Sequence, residues 1–275
     1  MKIFAYLAAV CALFTLTASA QMIDRVRLTA PTLVQEEKAI EYFDRGNACE
    51  NTDHVCRIDN YTKALEIYPA FAEAFNNRGS AYLMQGKPDA ALADFSSAVR
   101  VEPDFVQGYY NRAVLFTEKK DFQAAVKDFE KVIQLEPNLV LAHAGKGNAL
   151  LKQKEYDAAI ASYTRALSLE PAFAQGFYNR GLAYLQKSDL DNAIRDFTNA
   201  IDLDSRLTLA YLNRGISYSK KGNDTNALAD VSKFIAMVPN DERGYSIRSK
   251  IYERSGQIEK ADADKKKAAQ LKSGL

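Results

Sequence analysis

Apolar and small residues recur along this chain at the spacing of amphipathic helices, and short polar breaks interrupt them at regular intervals. Residues 171–204 show the pattern most clearly. It breaks once, at residues 187–189, and the apolar and small positions on the two sides are Phe177, Gly181, Tyr184, Ala193, Phe197 and Ala200. We therefore predict two helices joined by a tight turn.

The same pattern returns every 34 residues, so that Pro171 aligns with Pro137, Pro103 and Pro69. A proline at this place ends one helix and lets the next begin, because it cannot extend the hydrogen-bond ladder. A fixed period of this size predicts a stacked array. We expect a linker at 21–34, seven hairpins at 35–68, 69–102, 103–136, 137–170, 171–204, 205–238 and 239–272, and a tail at 273–275.

Two columns of small residues and one of aromatic residues run through the array. The small columns allow close helix packing, and the aromatic column, with Phe95, Phe129, Tyr163 and Phe197, fills the space beside them. Glycines such as Gly86 are expected to end first helices, and Asp121 or Asp157 to cap second helices. Together with the closing proline, these columns closely resemble the tetratricopeptide repeat. The resemblance implies an all-α fold, a right-handed superhelical α-solenoid of about seven helix-turn-helix repeats.

The first twenty residues have the features of a secretory signal peptide. One lysine precedes an apolar run from Ile3 to Leu16, and the segment ends in Ala18-Ser19-Ala20. A membrane anchor is the alternative, but 14 apolar residues are fewer than the roughly 20 that a spanning helix needs. We expect cleavage after Ala20, export to a bacterial periplasm, and no membrane span in the mature chain.

Loss of Lys2 with this segment leaves 35 basic and 35 acidic residues, so the mature chain is close to neutral. A neutral chain is not expected to bind nucleic acid. The charge is nonetheless uneven, since residues 35–68 hold eight acids and four bases, whereas 239–275 hold nine bases and six acids. The run Lys265-Lys266-Lys267 is interpreted as a solvated face of the last helix.

No enzyme signature appears in the sequence. Its two histidines, His54 and His143, form no metal-binding motif, and His143 stands at an aromatic core position. No catalytic residue, metal or cofactor is therefore expected.

Cys49 and Cys56 are the two cysteines of the mature chain, and they flank a short polar turn. In an exported protein such a pair predicts a disulfide, although two separate buried thiols are the alternative.

Two columns indicate ion pairs inside the hairpins. An arginine precedes the small residue of most first helices, and an aspartate precedes the aromatic of most second helices. In the one frame where lysine, Lys146, replaces the arginine, the acid becomes Ser162. We predict structural pairs between Arg78 and Asp94, Arg112 and Asp128, Arg180 and Asp196, and Arg214 and Asp230.

A column of asparagines precedes these arginines, at Asn77, Asn111, Asn179 and Asn213, and Gly145 interrupts it. The column resembles the asparagine ladder in the repeats of O-GlcNAc transferase, which implies that the amides hold a peptide backbone on a concave face. Amides that only solvate this face or bond to neighbouring helices are the alternative. The expected peptide-binding residues are these four asparagines with Tyr110, Tyr178, Leu182, Leu212 and Ile216.

Three function classes remain. The chain is expected to be a scaffold or adaptor that binds a segment of a partner protein in its groove. A structural subunit of an envelope assembly or of a homo-oligomer is the alternative. An enzyme is the least favoured class, because no convergent group of acid, base or nucleophile is visible.

Overall fold

The computed structural model describes residues 30–273, with side chains from Val34 onward. This part of the chain contains fourteen α-helices and no strand, which confirms the all-α fold class. The helices are α1 Ala30–Ala48, α2 His54–Ile67, α3 Ala72–Met84, α4 Pro88–Val101, α5 Val106–Glu118, α6 Phe122–Leu135, α7 Val140–Lys152, α8 Tyr156–Leu169, α9 Ala174–Gln186, α10 Leu190–Leu203, α11 Thr208–Lys220, α12 Asp224–Met237, α13 Glu242–Arg254 and α14 Ile258–Ser273.

The helices form consecutive hairpins, each built from a first helix and a second helix. Between the two helices of a hairpin, the chain turns through one residue with positive φ. Gly86, Gly222 and Gly256 occupy this position with φ of 74°, 78° and 74°, and Lys120, Lys154 and Ser188 take it in other hairpins. Glycine adopts this conformation without a steric penalty, which explains its use at three of the turns.

Side-chain caps begin several second helices. Asp53, Asp121 and Asp189 each accept a hydrogen bond from a backbone N–H three residues later. The expected cap at Asp157 is wrong, because Glu155 is the N-cap residue of α8 and makes no side-chain cap bond. Asp157 lies within the first turn of α8 and pairs instead with Lys187.

Several hairpins pack an aromatic ring of the second helix against a glycine of the first helix. A Cβ added at Gly181 would lie 2.8 Å from Phe197 Cε1, and one added at Gly79 would lie 2.8 Å from Phe95 Cε1. Contacts this short are not tolerated, so both positions require glycine. Phe95 and Phe197 are fully buried, as the aromatic column predicted.

The chain divides into two compact units that meet between Leu115 and Phe116, and each is described by itself. The N-terminal unit packs Phe71 with Ala39 and Leu65, and Phe95 with Leu83 and Leu115. The C-terminal unit has several clusters along its length, of which three contain a large buried ring. They are centred on Tyr163 with Leu150, on Phe197 with Leu185, and on Phe234 with Leu212 and Ile251.

The first described helix begins at Ala30 and the last ends at Ser273. The proposed signal peptide at 1–20 lies outside the described residues, as does most of the predicted linker. Helix α1 nevertheless begins at Ala30, so the last part of residues 21–34 is helical. Proline is accepted in a first turn because its missing N–H would have no intrahelical partner, and Pro31 occupies such a place.

At the other end, α14 continues to Ser273, one residue into the predicted tail. None of the helices that the structure describes is long and apolar enough to cross a membrane.

Candidate functional site

The predicted asparagine column lies on the first helices, and all four of its amides form hydrogen bonds within the chain. In the N-terminal unit, five amides form a continuous relay across three first helices. Gln107 Nε2 donates to Asn111 (3.0 Å), Asn111 Nδ2 to Asn76 (2.8 Å), Asn76 Nδ2 to Asn77 (3.2 Å) and Asn77 Nδ2 to Asn47 (3.2 Å). Tyr61 closes the relay by donating its hydroxyl to Asn47 Oδ1 at 2.8 Å.

This relay changes the role of two predicted contact residues. Asn111 is 1% exposed and Tyr110 is 7% exposed, so neither side chain can lie against a bound peptide. Their assignment as peptide contacts is therefore wrong. Asn111 instead satisfies buried polar groups of two neighbouring helices, which is the alternative that the sequence had left open.

The C-terminal unit repeats part of the relay. Gln175 Nε2 donates to Asn179 (2.9 Å), Asn179 Nδ2 donates to Asn148 (3.0 Å), and Tyr163 donates its hydroxyl to the same Asn148 Oδ1 (2.8 Å). Burial raises the pKa of Tyr163. The oxygen of Asn148 therefore has two donors, while its Nδ2 makes no hydrogen bond to any residue that the structure describes.

In Asn213 the nitrogen is used and the oxygen is not. Its Nδ2 donates to the Tyr178 hydroxyl (3.1 Å) and to the Leu209 carbonyl (3.0 Å), whereas its Oδ1 accepts no hydrogen bond among the described residues. Burial raises the pKa of Tyr178, and the Asn213 amide and the Arg243 charge oppose that rise. Asn148 and Asn213 are both half-buried, so these two amides reach the surface with unused hydrogen-bonding capacity.

Apolar side chains flank these amides. Leu182 and Ile216 are half-buried beside the Phe197 cluster. Leu209, which sequence reasoning missed, is 37% exposed. Leu212 is only 3% exposed and packs with Phe234 and Ile251, so its assignment as a peptide contact is wrong.

Asn47 and Asn148 are further polar residues that sequence reasoning missed, although a signal was present. Tyr61 and Tyr163 stand where other second helices have phenylalanine, and each donates to an asparagine on its own hairpin's first helix. An asparagine opposite each tyrosine in the aromatic column could have revealed both pairs.

The arginine column is engaged inside the hairpins. Four arginines each make a two-bonded ion pair with an aspartate of their own second helix. The Nε–Oδ2 distances are 2.8 Å for Arg78 with Asp94, 2.7 Å for Arg180 with Asp196, 2.7 Å for Arg214 with Asp230 and 2.7 Å for Arg248 with Asp264. The Asp230 carboxylate raises the pKa of the Arg214 guanidinium above its ordinary value.

A third bond of each arginine reaches the preceding hairpin, which was not predicted. The Nη1 atom donates to a hydroxyl located 16 residues earlier: Thr62 for Arg78, Thr164 for Arg180, Thr198 for Arg214 and Ser232 for Arg248. The arginine therefore fixes both the geometry of its hairpin and the stacking on its neighbour.

Three frames are not part of this set. In the first, Arg45 pairs with Glu41 of its own helix, and Asn60 stands at the acid position. Arg112 and Asp128 lie on opposite sides of the boundary between the units, and their pairing stays a prediction. Lys146 bonds at 2.8 Å to Glu130, which stands at the threonine place, while Ser162 bonds to the Ala158 carbonyl. The paired change seen in the sequence thus reflects a switch of partner to the preceding hairpin.

Cys49 and Cys56 lie at bonding distance, with their Cα atoms 6.1 Å apart. They connect the end of α1 to the first turn of α2, and the Asn60 amide donates to the Cys56 carbonyl at 2.9 Å. The part of the chain that the structure describes contains no group of histidine, cysteine and acidic residues that could hold a metal ion.

Comparison with known proteins agrees with this architecture. A family model described as tetratricopeptide repeat matches residues 72–105, 106–139 and 174–207, and a model described as TPR repeat matches residues 147–188. Tetratricopeptide repeat protein 36 of Caenorhabditis elegans is 49% identical over 39 residues, which are 14% of this chain. The match spans only 22% of that relative's length.

Solved structures extend the likeness over more of the chain. MamA from Desulfovibrio magneticus RS-1 is 28% identical, with a TM-score of 0.58 over 60% of this chain and 94% of that one. A tetratricopeptide repeat protein from Parabacteroides merdae is 23% identical, with a TM-score of 0.62 over 87% of this chain and 93% of that one.

A third structure, YrrB, is described as a TPR protein with an unusual peptide-binding site. It is 22% identical, with a TM-score of 0.59 over 67% of this chain and 95% of that one. The family models show that the chain contains tetratricopeptide repeats at the residues they match, and the solved structures share the fold of a larger part of the chain.

Proposed function

We propose that this chain is a protein-binding scaffold without catalytic activity, and that it holds a segment of a partner protein against the first helices of its C-terminal unit. The observation that carries the proposal is the unused hydrogen-bonding capacity of this face. Asn148 has a free amide donor and Asn213 a free amide oxygen, next to the apolar side chains of Leu182, Leu209 and Ile216.

A peptide segment matches this chemistry. Its backbone presents N–H donors and C=O acceptors in alternation, and a primary amide can satisfy either. Its apolar side chains would cover Leu209 and the exposed parts of Leu182 and Ile216. The peptide-binding site named for YrrB is consistent with the proposal, although at 22% identity that likeness concerns the fold alone.

Asn77 has a different role in this proposal. Its nitrogen donates to Asn47 and its oxygen accepts from Asn76, so the relay of the N-terminal unit, whose Asn76 and Asn111 are buried, uses both ends of this amide, whereas Asn213 keeps a free oxygen. We infer that this relay stabilises the packing of the first helices, and that the binding face is centred on α9 and α11. Export to a periplasm belongs to the same proposal, and the first twenty residues support it.

Selection from a random peptide display library tests this function. Peptides selected on the chain are titrated against a variant of the proposed face, in which Asn179, Leu182 and Asn213 are replaced by alanine. The matched control replaces Ser168, Asp202 and Lys233, which are exposed on the second helices α8, α10 and α12.

We expect the selected peptides to bind the chain and the control equally, and to lose affinity for the face variant. Circular dichroism should show that both variants keep their helicity. Equal binding to all three proteins would exclude this face as the binding surface.

A further inference from the structure

The first helices of the C-terminal unit carry charge of only one sign on the face that holds Asn179 and Asn213. We define the first-helix stripe as the residues at the second, fifth, sixth, ninth and thirteenth positions of each first helix, which fall on one side of an α-helix. In α7, α9, α11 and α13 the stripe contains no acid and five bases, which are Lys152, Lys220, Arg243, Lys250 and Arg254.

Three of these cations are unpaired. Arg243 bonds to Asp241 and Arg254 to Asp224, so these two charges are balanced locally. Lys152, Lys220 and Lys250 are exposed and make no ion pair or hydrogen bond with any described residue.

Lysines next to the stripe behave differently. Lys187 directly follows α9 and pairs with Asp157 on α8. Lys221 directly follows α11 and pairs with Asp191 on α10. Counter-charges are therefore within reach of lysines at the ends of these helices. Lys152, Lys220 and Lys250 have no such counter-charge among the described residues.

The equivalent positions of α3 and α5 have the opposite sign. In α3 and α5 they include Glu73 and Glu118 and no cation. Burial raises the pKa of both carboxyls. Since the mature chain is close to neutral, this reversal is a local property of the stripe and does not follow from overall composition.

We infer that the stripe of α7, α9, α11 and α13 binds a segment of a partner protein that is both acidic and apolar. Its carboxylates pair with Lys152, Lys220 and Lys250, and its apolar side chains lie on Leu182, Leu209 and Ile216. This inference rests on the proposed function and adds the chemical class of the partner segment.

The spacing of the lysines favours a peptide over a nucleic acid. The three charges lie on different helices and are separated by leucine, isoleucine and amide side chains. A phosphate backbone would leave these apolar groups uncovered, whereas a peptide can alternate carboxylate and apolar side chains along the same path.

The composition of peptides selected from an unbiased display library tests this inference. We expect the pool to be enriched in Asp and Glu together with Leu and Ile. A synthetic peptide of the pool's consensus is then titrated against two triple variants that lose the same net charge. One is Lys152→Gln, Lys220→Gln and Lys250→Gln, and the other is Lys131→Gln, Lys233→Gln and Lys266→Gln on second helices.

The first variant should bind the peptide about tenfold more weakly and the second within about twofold, because several weak exposed pairs together give an effect of this size. Binding to the unmodified chain should also weaken between about 0.01 M and 1 M salt, as the Debye length falls from about 30 Å to about 3 Å.

Three results would overturn the inference. The first is a pool of neutral or basic peptides whose binding still depends on Asn179 and Asn213. The second is equal affinity of the peptide for the two lysine variants. The third is that a single-stranded oligonucleotide binds through the same lysines more tightly than the peptide does. The first result is compatible with the proposed function. Selected peptides that bind independently of the face around Asn179 and Asn213 would contradict both this inference and the proposed function.

Discussion

Arg180 and Asp196 form a two-bonded ion pair inside the fifth hairpin, with Nε–Oδ2 at 2.7 Å and Nη2–Oδ1 at 2.9 Å. Asp196 is fully buried, and the third bond of Arg180 reaches Thr164 on the preceding hairpin. The pair thus links the folding of one hairpin to its stacking on another. Removal of one partner would leave the other charge buried and unpaired.

A double-mutant cycle should show this coupling. We expect Asp196→Asn and Arg180→Gln each to lower the free energy of unfolding by about 3 kcal/mol. In the double variant, the decrease in the free energy of unfolding should be smaller than the sum of the two single decreases by about 1–3 kcal/mol. Urea denaturation measures all three proteins. The exposed pair Arg206 and Asp204 is the control, where neither substitution should change stability measurably.

Additive losses at Arg180 and Asp196 would contradict the pairing. If substitutions at Arg206 and Asp204 lowered the free energy of unfolding as much as those at Arg180 and Asp196, burial of the pair would not determine its contribution to stability.

Glu73 gives the stability of the N-terminal unit a pH dependence. Burial raises the pKa of Glu73 above its ordinary value of 4.5, with a smaller contribution from Glu102. The folded state therefore holds this proton more tightly than the unfolded state, and stability falls as pH rises from about 4.5 through the folded pKa. We expect Glu73→Gln to unfold at a higher temperature than the unmodified chain at pH 7, and the gap to narrow towards pH 4.

Melting curves at several pH values measure this gap, with Glu102→Gln as the control for charge removal nearby. A gap that stays constant with pH would show that Glu73 does not titrate differently on folding.

Cys49 and Cys56 are predicted to form a disulfide in the exported chain. Closing so short a loop should stabilise the fold by about 2.5 kcal/mol on the chain-entropy model. Thiol counting on the denatured, unreduced mature protein should find no free thiol. Two free thiols would refute the disulfide, and an unchanged melting temperature after reduction would refute its contribution to stability.

The lysine run of α14 is predicted to have no part in partner binding. Lys265 is paired with Glu253 and Asp262, and Lys266 and Lys267 are exposed on the final second helix. Replacing all three by glutamine should leave the affinity for a selected peptide unchanged in a titration at low salt. A large, salt-sensitive loss would place part of the binding surface on α14.

Much of the fold could be predicted because one period organises the whole chain. The 34-residue repeat places Phe197 against Gly181 in one hairpin and Phe95 against Gly79 in another, so helix order and core columns follow from a single frame. The Arg180 and Asp196 columns were also predictable, since their side chains pair in four hairpins.

The binding face was less predictable, because its surface depends on residues that differ between repeats. Leu212 is buried by Phe234 and Ile251, while Leu182, at a different place on its own first helix, stays half-buried. Asn77, Asn179 and Asn213 share a column, yet Asn77 and Asn179 use both ends of their amides, whereas Asn213 leaves its oxygen without a donor among the described residues. Predicting such contacts requires the side chains of the neighbouring hairpin, and a periodic pattern describes only what the repeats have in common.

Two paired asparagine variants test the central claim most directly, through their affinity for one selected peptide. Asn179→Ala with Asn213→Ala removes two amides of the proposed face, and each is expected to contribute about 0.5–1.5 kcal/mol. Asn77→Ala with Asn111→Ala removes two amides of the relay in the N-terminal unit. We predict that the first variant binds the peptide about tenfold or more weakly, while the second keeps its affinity and unfolds at lower urea concentration. Lost affinity in the second variant, with affinity retained in the first, would contradict the placement of the binding face on α9 and α11.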